Sequence, residues 1–257
     1  MLYKPLLYEH IIESIERATI AAVSPEETHE LSGWLLAFDR GTIGRAQCAV
    51  PLAHVACDLR VIEQIEAQYA ARGLPAVFRL ATDTCFDAFR SELQQRGYAA
   101  AKPTWVQTGA VQAMMQVTDQ PMAEVDPTPD AAWTALFLGE GFDPMDGVSR
   151  VDSLSRSTSN VYASVRDAGH TLAGGAASFS HGWASVHGMR TVLNHRGRGL
   201  AGRVLAGLAQ TAMQRGLEQV FLQVEANNPA AQALYKRAGF TTAWMYEYWS
   251  KNGIKRC

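Results

Sequence analysis

Residues 194–202 read Asn194-His195-Arg196-Gly197-Arg198-Gly199-Leu200-Ala201-Gly202, and they stand between a strand candidate at 183–192 and a helix pattern. In that helix pattern Leu200, Val204, Leu208 and Ala212 recur at helical spacing, and Gly216 ends it. Glycines at such a junction let the backbone curl around a ligand and turn several N–H groups inward. The helix opening near Gly199 adds unpaired donors and the positive end of its dipole, while Arg196 and Arg198 add two cations. The stretch reads as a pyrophosphate cradle. A P-loop would carry Lys-Ser/Thr after its last glycine, where Leu200-Ala201 stands. Gly197-x-Gly199-x-x-Gly202 does fit the dinucleotide fingerprint. A Rossmann unit, however, places that loop after its first strand and an acidic residue at the end of the next, and Glu218 comes before its strand. An RNA-binding Arg-Gly tract would sit among basic or aromatic repeats, which are missing here.

Working outward, a helix is expected from Asp130 to about Gly141 and another over 146–157. Strand candidates follow at 160–166, 171–180 and 183–192, with turns at Ala168-Gly169-His170 and His181-Gly182. A three-strand meander thus leads into the loop. Beyond it, a strand at 219–225 is followed by Asn228-Pro229-Ala230-Ala231-Gln232-Ala233-Leu234-Tyr235-Lys236-Arg237-Ala238-Gly239-Phe240.

With both stretches in view, the chain resembles the GNAT superfamily of acyl-CoA-dependent N-acyltransferases over about residues 128–250. Arg196, Gly199 and Ala201 fill the fixed positions of that family's Arg-x-x-Gly-x-Gly/Ala loop, and residues 228–240 are similar to its Asn-x-x-Ala-x-x-Leu-Tyr-x-x-x-Gly-Phe motif. The resemblance implies an N-acetyltransferase using acetyl-CoA as co-substrate, with the cofactor wedged between the strands at 183–192 and 219–225. It implies that backbone near Met189 and Thr191 pairs with the pantetheine arm, in the manner of an added strand. It further implies that amides from Gly197 through Arg198, Gly199, Leu200 and Ala201 to Gly202, with Arg196, take the pyrophosphate, and that Asn228 contacts the arm. Tyr235 would be the general acid for the departing thiolate. The strand at 183–192 departs from the family in holding no carboxylate, so the base stays open between His187, Glu225 and a water chain. The acceptor, a small-molecule or protein amine, would lie under 139–149, where Asp143 and Asp146 could attract a cation between Phe142 and Met145. Another acyl-CoA as donor, or a non-catalytic acyl-CoA-binding module, would keep the same fold.

The first half repeats this order at an offset of about 142. RGLPAVFRL at 72–80 answers RGLEQVFLQV at 215–224, and LQQRGY at 93–98 answers LYKRAGF at 234–240. A helix with Leu59, Ile62, Ile65 and Tyr69 on one face precedes Gly73, and strand candidates lie at 34–39 and 45–50. The loop counterpart, 53–59, has no glycine and no arginine, and Leu93 or Gln94 stands where Tyr235 does. The reading is an α/β fold (α+β, mixed sheet) of two tandem GNAT-like domains. Residues 1–118 form a degenerate domain without cofactor loop, 119–257 form the catalytic one, and a proline-bearing linker lies near 117–129. One active site is expected, and the chain would be a monomer or a homodimer.

Composition agrees. Of 257 residues 47% are hydrophobic and 19% charged, enough for a sizeable core. A net charge of −2 argues against a general nucleic-acid partner. No apolar run suffices to span a bilayer, and the opening MLYKPLLYEHIIESIERA is too acidic for a signal peptide. Cys48, Cys57, Cys85 and Cys257 show no metal-like spacing, so no metal is expected, and they read as reduced thiols in a cytoplasmic protein.

Overall fold

A computed structural model describes residues 3–141 and 143–251, with side chains from Glu9 onward; Phe142 and Cys257, both named above, lie outside the described residues. The first half runs α1 (Tyr3–Val23), β1 (Glu27–Leu31), β2 (Trp34–Phe38), β3 (Ala49–Pro51), α2 (Val61–Ala70), β4 (Phe78–Ala81), α3 (Asp87–Gln95), β5 (Ala99–Ala110) and α4 (Val111–Met115). The second runs β6 (Glu124–Asp126), α5 (Ala131–Ala135), α6 (Pro144–Arg156), β7 (Asn160–Asp167), β8 (His170–Ser180), β9 (Trp183–Thr191), α7 (Leu200–Gln214), β10 (Gln219–Glu225), α8 (Pro229–Arg237) and β11 (Thr241–Ser250).

The expected mixed α/β fold is present as one open mixed sheet of order β1-β2-β3-β4-β11-β5-β10-β9-β8-β7-β6. Its centre is a reciprocal exchange. β5 lies antiparallel between β10 and β11, and β11 lies antiparallel between β4 and β5, so each half's last strand pairs with the other half's penultimate one. β9 and β10 are parallel and pair only over Ala184–Val186 and Val220–Leu222, leaving their C-terminal ends unpaired with each other.

Local chemistry explains the elements. Ala168 and Gly169, then His181 and Gly182, all have positive φ, as two-residue turns matching the strand twist require. Equivalent helix ends recur in the two halves. Tyr98 N–H donates to the Leu93 carbonyl at 2.9 Å and Phe240 N–H to the Tyr235 carbonyl at 3.0 Å, each across a left-handed glycine (Gly97, Gly239). This cap makes Leu93, rather than Gln94, the positional equivalent of Tyr235.

Three local expectations are corrected. The strand expected at 45–50 is shorter, because Ala46 N–H bonds the Ile43 carbonyl and closes a turn over Gly44–Gln47, leaving β3 at Ala49–Pro51. The linker 117–129 holds the edge strand β6, and Ala123 N–H is anchored on the Arg203 carbonyl. The helix expected to reach Gly141 starts under an Asp130 cap but ends at Ala135, giving way to turns and to Gly141 at φ 84.

Helix α1, read from sequence only as no signal peptide, crosses one face of the sheet beneath both halves. Ile20 packs with Leu35, Ala37, Val50 and Leu52. Ser14 Oγ accepts from Trp183 Nε1 at 2.9 Å, and Thr19 Oγ1 accepts from Gln223 Nε2 at 3.0 Å. Glu16 and Arg79 of β4 form a fully buried ion pair. Helix α7 covers the other face, its Val204, Leu205 and Leu208 packing on Ala184, Val186, Val220 and Leu222.

Candidate active site

Side chains alternate along β10, so Leu222 and Val224 face α7 while Phe221 and Gln223 face α1. Where β9 and β10 part, a cleft of about 690 Å³ opens. Its walls bring together Met189, Thr191, Arg196, Gly197, Gly199, Leu200, Ala201, Gly202, Asn228 and Tyr235, all singled out from sequence; Arg198 is not among them. Arg198 is exposed and donates to the Asn194 carbonyl at 3.4 Å.

The glycine loop has the conformation its sequence demands. Gly197 and Gly199 sit at φ 77 and 79, a region that strains other residues. Gly199 precedes α7, whose first N–H groups have no intrahelical acceptor. Gly202 N–H is already donated to the Gly199 carbonyl at 3.0 Å, which leaves the amides before it to meet a ligand. At the opposite wall Asn228 Oδ1 caps α8 by accepting from Ala231 N–H at 3.1 Å, so only its Nδ2 remains for a ligand.

Tyr235 is 7% exposed and meets Phe240 edge-on, and burial pushes its phenol up to about 12. His187 is also buried on the cleft wall. Its Nε2 lies 2.8 Å from Ser185 Oγ, whose own proton is directed at the Ser178 carbonyl at 3.4 Å. Nε2 thus pairs with Ser185, and Nδ1 is buried with no protein partner among the described residues. Burial, then the Arg45 cation, hold His187 well below its ordinary range, so it is neutral at pH 7.

His54, wedged between Phe86 and Trp244, is likewise lowered by burial, to about 4. Both native pKa values lie below the unfolded 6.5, so this stability is complete above pH 6.5 and is lost as pH falls, His54's share down to about 4. The loss is up to about 1.4 kcal/mol per pH unit per histidine. The urea midpoint is expected to drop between pH 7 and pH 5, with His54→Phe flattening the drop; an unchanged slope in that variant would contradict the assignment.

The acidic turn does not act as expected. Asp143 caps α6 by accepting from Asp146 N–H at 3.0 Å. Asp146 is buried and fully engaged, bonded to Thr42 Oγ1 at 2.8 Å, Arg150 at 2.6 Å and Arg190 at 3.3 Å. Asp146 is thus occupied by partners within the protein, and Met145 is 79% exposed rather than a wall. The hollow that adjoins the cleft is lined instead by Thr42, Ile43, Gly44 and Arg45 with Lys102, Thr104, Arg150, Gln223, Glu225, Tyr246 and Tyr248.

Sequence reasoning missed Arg45, Arg150, Gln223 and Gly188 as cleft residues. Gly188, at φ 60, forms a bulge in β9 where the register with β8 slips, and this re-aims the backbone carrying Met189. A lone glycine inside a strand pattern is the signal that could have found it. Among the described residues no cluster of His, Cys, Asp or Glu could hold a metal ion, and no helix is long and apolar enough to cross a membrane.

Comparison with known proteins agrees with this geometry. A family model described as "Probable histone acetyltransferase Rv0428c C-terminal" matches residues 10–249. The curated Bacillus subtilis protein named "Uncharacterized N-acetyltransferase YobR" is 24% identical over 245 residues, spanning 92% of this chain and 97% of that one. Two solved structures share the fold. A GCN5-related N-acetyltransferase from Kribbella flavida superposes with TM-score 0.71 at 16% identity, covering 95% of this chain and 96% of its own. A tandem GNAT protein from the clavulanic acid biosynthesis pathway superposes with TM-score 0.60 at 15% identity, covering 90% and 86%. With residues 10–249 matched by that family model, the chain belongs to the Rv0428c C-terminal acetyltransferase family, within the GNAT superfamily of N-acetyltransferases.

Proposed function

We propose that the protein transfers an acetyl group from acetyl-CoA to a primary amine by direct attack on the thioester. The observation that carries this reading is the left-handed Gly199 turn, whose amides open onto the same cleft as the buried Tyr235. The diphosphate would take the amides between Gly197 and Ala201 with Arg196, and the pantetheine arm would pair along Met189 and Thr191 and meet Asn228. Diphosphate at this helix N-terminus gains from both the dipole and the unbonded donors.

The acceptor ammonium first loses a proton to water, and the neutral amine nitrogen then forms a C–N bond with the thioester carbon as the C–S bond breaks. The departing thiolate takes a proton from Tyr235. The new ammonium becomes more acidic as the bond forms, so a weak base suffices, and Nδ1 of His187 is the acceptor we assign. Burial raises the phenol, but it raises a thiol leaving group in the same apolar site too, so the two stay near enough for transfer. Tyr235→Phe is expected to lower kcat about 100-fold. The acetyl-CoA Kd should be nearly unchanged, read as thiol release alongside calorimetry. A variant with the wild-type rate would remove the role.

The same reading treats residues 1–118 and 119–257 as a degenerate and a transferring GNAT-like domain that share one sheet, in a cytoplasmic monomer or homodimer.

A further inference from the structure

The hollow beside the cleft has a volume of about 180 Å³, room for a small molecule, and its walls carry unbalanced positive charge. Arg150 shares Asp146 with Arg190, so that carboxylate is already oversubscribed. Arg45 forms no ion pair among the described residues, and the polar contact it makes is a 3.4 Å bond to Gln223 Oε1. Lys102, held at φ 52 on β5, has neither an ion pair nor a hydrogen bond from its ammonium among the described residues. Glu225 is the one other carboxylate on these walls, at the exposed rim shared with the cleft.

These cations are not placed for the cofactor's diphosphate. Gln223 and Glu225 alternate with Leu222 and Val224 along β10, so they and the hollow lie on the α1 face, whereas the glycine loop opens α7 on the other face. Arg45, Arg150, Gln223 and Glu225 wall both spaces, so a molecule in the hollow reaches the cleft where the strands part. An occupant that matches carries an anionic group for the cations Arg45 and Lys102 and a nitrogen that reaches the cleft beside Glu225.

We propose that the acceptor is a small amine that also bears a carboxylate, which Arg45 and Lys102 hold while its amine is presented past Gln223 and Glu225 to the thioester. This rests on the acyl-transfer reading above and adds the acceptor's class. The bonds are those already given: the amine's C–N bond forms, the C–S bond breaks, and the product is an N-acetyl acid. A basic protein tail would bring like charge to the hollow and is disfavoured.

The test measures thiol release with acetyl-CoA and paired acceptors of rising amine-to-acid distance. The pairs are alanine with alaninamide, β-alanine with its amide, and γ-aminobutyrate with its amide, alongside a lysine-rich peptide. A charge-assisted bond predicts that at least one acid exceeds its amide in kcat/KM by about 10-fold or more. Arg45→Gln and, separately, Lys102→Gln should bring that ratio toward one, with melting temperatures confirming that each variant folds. Amides or the peptide outrunning the acids, no acid acetylated by acetyl-CoA-bound protein, or a ratio unmoved in both variants would each overturn the proposal. Calorimetry of the wild type with acetyl-CoA separates the two levels: without binding the acyl-transfer reading itself fails, and with binding only the acceptor class does.

Discussion

Gly199→Glu is expected to weaken acetyl-CoA binding about 1000-fold while leaving the fold standing. Three effects meet at this position, and the last of them carries the loss of binding. Gly199 sits at φ 79, where any L side chain costs about 1–2 kcal/mol. A Cβ there would come within 2.9 Å of Gln120 Nε2, the far end of a side chain that can swing away, so the clash itself is minor. The new carboxylate would then stand at the mouth of α7 where the diphosphate is proposed to lie, and like charges near 4 Å repel by up to about 4 kcal/mol at a partly exposed site. Calorimetric titration of both proteins checks it, with circular dichroism showing that the helix is retained. A variant that binds as the wild type does would mean that the loop does not hold the cofactor.

The second large effect lies in the support beneath the site. Glu16→Ala should lower the unfolding free energy by about 3–5 kcal/mol, because it leaves Arg79 charged and buried. Arg79 is 1% exposed, its Nε and Nη1 have no partner even in the native protein, and its guanidinium stacks over the Tyr246 ring at 4.8 Å. The double variant Glu16→Leu, Arg79→Met should recover most of the loss, since an apolar pair of similar volume needs no desolvation. Urea denaturation of the three proteins gives the answer; a loss below about 1 kcal/mol in Glu16→Ala would show that water reaches the pair. Because α1 also holds Gln223 through Thr19, loss of this anchor should loosen the hollow before it unfolds the sheet.

What the sequence disclosed and what it hid follow from the range of the interactions. The glycine loop, the meander and the Asn228–Phe240 stretch were legible because local backbone chemistry dictates them: positive φ at Gly197 and Gly199, turns at Gly169 and Gly182, caps at Asn228 and Gly239. The exchange of β5 and β11 was not, since alternation marks a segment as a strand without naming its neighbours. Helix α1 went unassigned although its Ile12 and Ile15 are buried, because what they bury against comes from both halves. The engagement of Asp146 was not legible because a carboxylate's availability depends on its partners, and Thr42 lies 104 residues away. Arg45 and Lys102 carry no local signal at all; only the fold sets them beside Glu225.

The most direct measurement is the stoichiometry of acetyl-CoA binding to the wild-type chain by calorimetry. A single Gly199-type loop predicts one equivalent of acetyl-CoA per chain, competed by free CoA. No detectable binding, or two equivalents per chain, would contradict the assignment of one acyl-CoA cleft between β9 and β10.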